Sequence, residues 1–257
     1  LLNWHNCYSF GNGVESNRIR DLYNAVIIDK GVKVSTTLAE QYKQERRGSG
    51  LIFSGIYNSK MKGINRLNQF IMAEPITKEL NPTYGSIQKL HARDTDLVTF
   101  CEDKVLRVLS NKDALYNADG TQNLTATNRV LGQAQPFIGE YGISKNPESF
   151  ASESYRAYFT DKQRGVVLRL SRDGLTPISD YGLKDYFKDT FNEVDGFMKG
   201  SYDSVKSLYN LTLDLPGSHK HPTVSFREQN NGWTSFKSFN KETGFSLNNI
   251  YYTAHHG

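Results

Sequence analysis

Six histidines and a few paired acids are the residues of this chain whose types could do chemistry. His219 and His221 stand two apart, so a strand would carry both on one side, and two such imidazoles are half of a zinc site. They flank Lys220 and precede Pro222 in a Gly- and Ser-bearing stretch, with no third Cys, His or carboxylate at ligand spacing. A plain loop explains them better. His5, His91 and the adjacent His255 and His256 have no metal-type spacing at all. Acids cluster at Glu102-Asp103 and at Asp94 and Asp96. Two carboxylates facing across a cleft are the machinery of glycoside hydrolysis. Short acids in turns, however, also bond the local backbone, which accounts for these positions more simply.

Gly11-Asn12-Gly13 is part of a phosphate-loop pattern, but Ser16 stands where the third Gly belongs and no βαβ frame follows. It reads as a turn. No nucleophile elbow, Walker loop or zinc-peptidase motif occurs. Trp233, Phe236 and Phe239 interleave with Lys237, an arrangement that can stack bases or sugars, though core packing explains it more simply. The residues therefore assign no catalytic, cofactor-binding or metal-binding position.

The elements around these residues are strands. Tyr155 to Ile178 reads as three short strands joined by tight polar turns. Within it, alternation puts Val166, Leu168 and Leu170 on one face and Val167, Arg169 and Ser171 on the other. Such a meander cannot bury both faces alone, so it predicts neighbours of its own kind. One lies at Leu97 to Ser110, where Asp103-Lys104 precedes its strand as Asp161-Lys162 does later; a weaker third copy is Tyr202 to Leu213, with Asp203 and Lys206 before the strand. Meanders repeated at such intervals resemble propeller blades, with an ordinary antiparallel sheet as the alternative.

Elsewhere, Leu51 to Tyr57 and Gln69 to Ile76 read as strands, the second broken by Pro75. Asn111 to Pro136 reads as a hairpin turning at Ala118-Asp119-Gly120. Asn230-Asn231-Gly232 predicts another hairpin. The rings Trp233, Phe236 and Phe239 do not share one strand face, which implies a bulge or burial on both sides. One helix is predicted over Tyr181 to Val194, with Leu183, Phe187, Phe191 and Val194 on its apolar face and Gly196 as its stop.

The expected fold is thus all-β: a β-propeller-like array of antiparallel meanders with one short amphipathic helix. Residues 1–50 form an irregular N-terminal segment, and residues 51–257 the meander domain. A net charge of +4 is spread among acids rather than gathered in a stripe, which disfavours a dedicated nucleic-acid face. Cys7 and Cys101 do not make a disulfide framework. No run is long enough to span a bilayer and no signal segment opens the chain. A first residue Leu1, and a final strand ending at Tyr251-Tyr252-Thr253 with little after it, predict a segment of a larger polypeptide.

Long, uncommon runs add a resemblance. NWHNCYSFGNGVESNRIRD (3–21), SGIYNSK (54–60), NQFIMAEPITKELNPTYGSIQKL (68–90), RDTDLVTFCEDKVLRVLSNKDALYNADG (93–120), GISKNPESFASESYRAYFTDKQRGVVLRLSRDGLTPISDYG (142–182) and NGWTSFKSFNKETGFSLNNIYYT (231–253) are similar to large virion structural proteins of crAss-like bacteriophages. The resemblance covers nearly the whole chain. It implies a tail muzzle or nozzle component of a short-tailed phage, without enzymatic activity or cofactors. Such a component assembles as a homo-oligomer with other tail proteins, and its non-specific DNA contact is confined to ejection. It would be made in the host cytoplasm and end in the virion. The alternative from the residues themselves is a carbohydrate-binding or glycoside-hydrolysing β-propeller.

Overall fold

The computed structural model describes residues 47–53, 77–93, 96–116, 122–216, 221–239 and 241–254. The described residues are strands with a single α-helix. A short pair, β1 (Gly50–Ile52) and β2 (Thr77–Glu79), comes first. Then come three four-stranded sheets, each a meander in chain order. The first holds β3 (Ile87–Arg93), β4 (Asp96–Cys101), β5 (Val105–Tyr116) and β6 (Gln122–Pro136). The second holds β7 (Ala151–Ser152), β8 (Ala157–Asp161), β9 (Val166–Ser171) and β10 (Gly174–Pro177). After the helix α1 (Lys184–Glu193), the third holds β11 (Lys199–Asp203), β12 (Leu208–Thr212), β13 (Thr223–Arg227) and β14 (Gly232–Lys237). A two-stranded hairpin, β15 (Thr243–Leu247) and β16 (Ile250–Ala254), closes the series.

Two compact units divide the chain: one is Leu1–Thr83, Ala92–Leu97 and Val108–Gln135, the other Tyr84–His91, Val98–Arg107 and Pro136–Gly257. In the first, the Leu80 N–H donates to the Ser49 carbonyl at 3.0 Å, closing β1 against β2, and Asn81 Oδ1 accepts from the Thr83 N–H at 3.0 Å. The second unit holds the two hydrophobic cores and everything bearing on a site. The expected strands over 51–57 and 69–76 lie outside the described residues beyond β1, as do the turn at 11–13, the segment 1–46 and Ala118-Asp119-Gly120.

Register explains why the second unit has two cores. Phe159 faces Leu168 and Ala157 faces Leu170 across β8 and β9. These residues pack with Val98, Phe100, Val105 and Ile143. On the opposite side, Tyr158 and Val167 pack with Ile178, Phe187, Phe191, Tyr209, Leu211, Val224 and Phe226. All five residues of β8 are buried. The face alternation expected for Val167, Leu168 and Leu170 is the observed one, and each face has its own core.

The buried end of β8 is Asp161, with no exposed surface. Its carboxylate accepts from the Gly142 N–H at 3.1 Å, the Ser144 hydroxyl at 2.9 Å, and the Arg164 backbone and guanidinium at 3.2 and 2.9 Å. Four donors, one of them charged, offset the loss of water around a buried carboxylate. The turn then closes with Gly165 at φ 67°. Asp203 repeats this design, accepting from the Val205 and Lys206 N–H groups, with Ser207 at φ 51°. Asp103 differs: it sits within the turn after β4 and meets Arg164 at 3.5 Å. The Asp-Lys likeness of the first copy thus falls at a different place in its turn, because the link between β4 and β5 is shorter.

Helix α1 begins after Leu183 and ends at Val194, whose N–H bonds the Thr190 carbonyl. Lys162 crosses from the β8–β9 turn to donate to the Val194 carbonyl at 2.7 Å, a cation on the negative end of the helix. Phe187, Phe191 and Val194 enter the core between the second and third sheets, so the helix is part of that core as well as a cover for it. The implied bulge lies between β13 and β14: Val224 faces Phe236 and Phe226 faces Trp233. Since 224 and 226 share a face, the extra residue brings Trp233 and Phe236 to one side. Trp233 then packs its ring, tilted, at 4.6 Å from Phe187 and donates its indole N–H to the Ile178 carbonyl.

Phe187→Ala is expected to cost about 3–5 kcal/mol in urea unfolding. The same variant shifts the native Trp233 emission, because the ring beside the indole is gone. A loss under about 1 kcal/mol with unchanged emission contradicts the packing.

Candidate functional site

Three strand edges converge in the second unit. A Cβ on Gly200 of β11 would come to 1.9 Å from the Ser149 carbonyl oxygen, so only glycine lets β11 approach the start of β7 so closely. Tyr209 donates its hydroxyl to that same carbonyl at 2.9 Å. On the other side of β11, the Ser204 N–H donates to Ser246 Oγ at 3.0 Å, and Ser246 donates on to the Tyr202 carbonyl. Between β7, β11 and β15 lies a cleft of about 500 Å³. Serine is the commonest residue of its wall, with Tyr202, Phe150 and Phe245 as its rings and Glu153 as its one carboxylate. No sequence motif marks it, because the lining comes from three strands far apart in the chain.

Glu153 belongs to a charged frame behind the cleft. Its carboxylate meets Arg156 at 2.5 Å, and Arg156 also approaches Glu228 at 3.8 Å. Glu228 further accepts from Arg169 at 2.8 Å and from the Tyr158 hydroxyl at 3.0 Å. Tyr158 lies stacked between Tyr202 at 5.9 Å and Tyr209 at 4.9 Å. Burial, then the Glu228 charge, pushes the Tyr158 phenol far above its ordinary value, so it remains a donor. Burial likewise pushes Tyr202 up to about 12, helped by Glu153. Two carboxylates and two guanidiniums therefore neutralise one another and tie β13 to β8 and β9. The Arg156 guanidinium lies between Glu153 and Glu228.

A second polar cluster lies under β15. Lys241, fully buried, donates to Ser201 Oγ, to the Asn210 carbonyl at 3.1 Å and to the Tyr251 hydroxyl at 3.3 Å. Ser201 and Tyr251 are themselves 2.6 Å apart. Among the described residues no carboxylate touches this amine, in contrast to the buried Lys104, which meets Glu140 at 2.7 Å. Burial, with Lys237 nearby, pushes the Lys241 amine down to about 7. Neither cluster was found from sequence; a lysine just after a β-strand carries no signal of burial.

The residues singled out from sequence lie elsewhere. His221 Nδ1 meets Asp214 Oδ1 at 2.9 Å, a carboxylate that sequence spacing did not connect to it, while His219 lies outside the described residues. The link is made by the hairpin of β12 and β13, where the Leu213 N–H bonds the Pro222 carbonyl. Among the described residues no three His, Cys, Asp or Glu side chains gather as a metal site. Glu102 accepts from the Ser86 N–H at 3.1 Å and from the Ser86 hydroxyl, a turn-holding use of an acid. Asp96 opens β4, and Asp94 is outside the described residues. His91 packs against Phe150 with its ring tilted, 5.1 Å between centroids. Cys101 is a buried free thiol, pushed up to about 11 chiefly by burial. Among the described residues no helix is long and apolar enough to cross a membrane.

Comparison with protein-family models finds no match, and comparison with curated proteins finds none either.

Glu228→Ala is expected to destabilise the protein by about 3 kcal/mol, because it strands Arg169 and the Tyr158 hydroxyl in a poorly solvated site. Lys184→Ala removes only an exposed 3.9 Å pair with Asp180 and should change stability by less than about 0.5 kcal/mol. Chemical denaturation of both variants checks this; equal effects would mean the Glu228 frame is no firmer than a surface pair.

Proposed function

We propose that this chain is a non-enzymatic structural protein of a phage virion, a tail muzzle or nozzle component that oligomerises around the DNA exit path. In this reading its meanders form a β-propeller-like array, with first strands innermost. The observation that carries the reading is the convergence of β7, β11 and β15, the first strands of successive sheet units, on one shared cleft. A radial array of blades places first strands in that way. The long runs similar to crAss-like phage virion proteins support the same assignment. So does the use of the charged groups: Asp161, Glu153, Arg156, Arg169 and Glu228 hold sheets together. A part that must keep its shape through assembly and ejection needs such cross-ties between sheets. Partners in this role are copies of the same chain and other tail proteins, with DNA met without sequence preference. Contact of that last kind would weaken steeply with salt.

A second reading is a carbohydrate-active propeller. The hydroxyl-rich cleft with Glu153, Tyr202 and Phe245 favours binding of a polyol over its hydrolysis.

Negative-stain microscopy of the purified chain, over a concentration series, tests the first reading. Rings with a central opening are expected. Compact single particles at every concentration, together with binding on a glycan array, would replace it by the second.

A further inference from the structure

The β15–β16 hairpin forms its own two-stranded sheet and lies against β11. Its outward face presents Phe245, Leu247, Ile250 and Tyr252, each more than 40 % exposed. Its inward side meets the third sheet through polar groups: Ser246 on β11, and Lys241 with Tyr251 on Ser201 and Asn210. A two-stranded hairpin is marginal alone, so its seating depends on that inner cluster. The central member of the cluster is an amine with three neutral acceptors and, among the described residues, no carboxylate. In such a place the charged form is the costly one.

We propose that Lys241 is a proton-operated latch: the hairpin is seated on β11 and β12 while the amine is neutral, and proton uptake by Lys241 favours its release. Release gives the ammonium water and opens the cleft, whose third wall is Gly244 to Ser246. The groups facing the amine are Lys237 on β14, which disfavours its charge, and Tyr251 on β16, itself raised by burial. Asp203, at the end of β11, acts on Lys237 and Tyr251, while Lys206 and Arg227 oppose the charge of Lys237.

The sign follows from proton counting. The seated amine titrates near 7 and the released amine at the usual lysine value of about 10.4. Between these values the released form holds the extra proton. Seating therefore strengthens as pH rises through that window, is complete above it, and levels off below about 7.

Hydrogen exchange of the full chain, read by mass spectrometry at pH 7, 8 and 9 and corrected for intrinsic rates, tests this. The protection of 243–254 should rise up to about tenfold per pH unit, while that of β8 and β9 changes little. Lys241→Met should abolish the pH dependence. Lys237→Gln, which removes the charge and keeps a donor for Asn210 Oδ1, should move the low-pH plateau upward. Protection of the hairpin that is flat with pH in the wild-type chain, or a dependence that persists in Lys241→Met, overturns the latch.

Discussion

Strand β8 has no solvent side. Ala157, Tyr158, Phe159, Thr160 and Asp161 are all buried, and a strand sealed on both faces requires partners above and below its sheet. That requirement dictates the rest of the second unit. One face of β8 and β9 takes Phe100 and Ile143, the other takes Tyr209, Phe226 and the helix. Sheets must therefore follow one another face to face, and the links between them must be short and closely fitted. Gly200 passes the Ser149 carbonyl, and Asp161 gathers the loop at Gly142 and Ser144 onto its own turn.

Face-to-face burial leaves polar groups at the seams, and the molecule treats them in two ways. Around Glu228 every charge has an opposite, so the seam between the second and third sheets is neutral and firm. Under the hairpin the amine of Lys241 has only neutral partners among the described residues, so that seam depends on protonation. The difference is one of charge compensation, since both clusters are similarly rich in hydrogen bonds. It divides the unit into a rigid body and one adjustable edge.

Much of this was legible in the chain. The alternation of Val167, Leu168 and Leu170 announced a two-faced strand, and Phe187, Phe191 and Val194 announced the helix. Trp233 and Phe236 at an odd spacing announced the bulge found between β13 and β14. These signals are local and periodic. The cleft and both charged clusters were not legible, because they join Glu153 to Glu228 and Ser201 to Lys241 across long stretches of chain. Asp161 stands before its strand as Asp103 does in the chain, but its burial depends on Gly142 and Ser144, which no local pattern ties to it.

The account stands on the sealing of both faces of the second sheet, and adjacent residues on β9 test it. Val167 points to one core and Leu168 to the other. Val167→Ala and Leu168→Ala should each lower the unfolding free energy by more than about 1.5 kcal/mol, since each removes buried methyl groups from a filled core. If one of the two substitutions falls within about 0.5 kcal/mol of the wild-type chain, that face is open to water and the face-to-face stacking of sheets is contradicted.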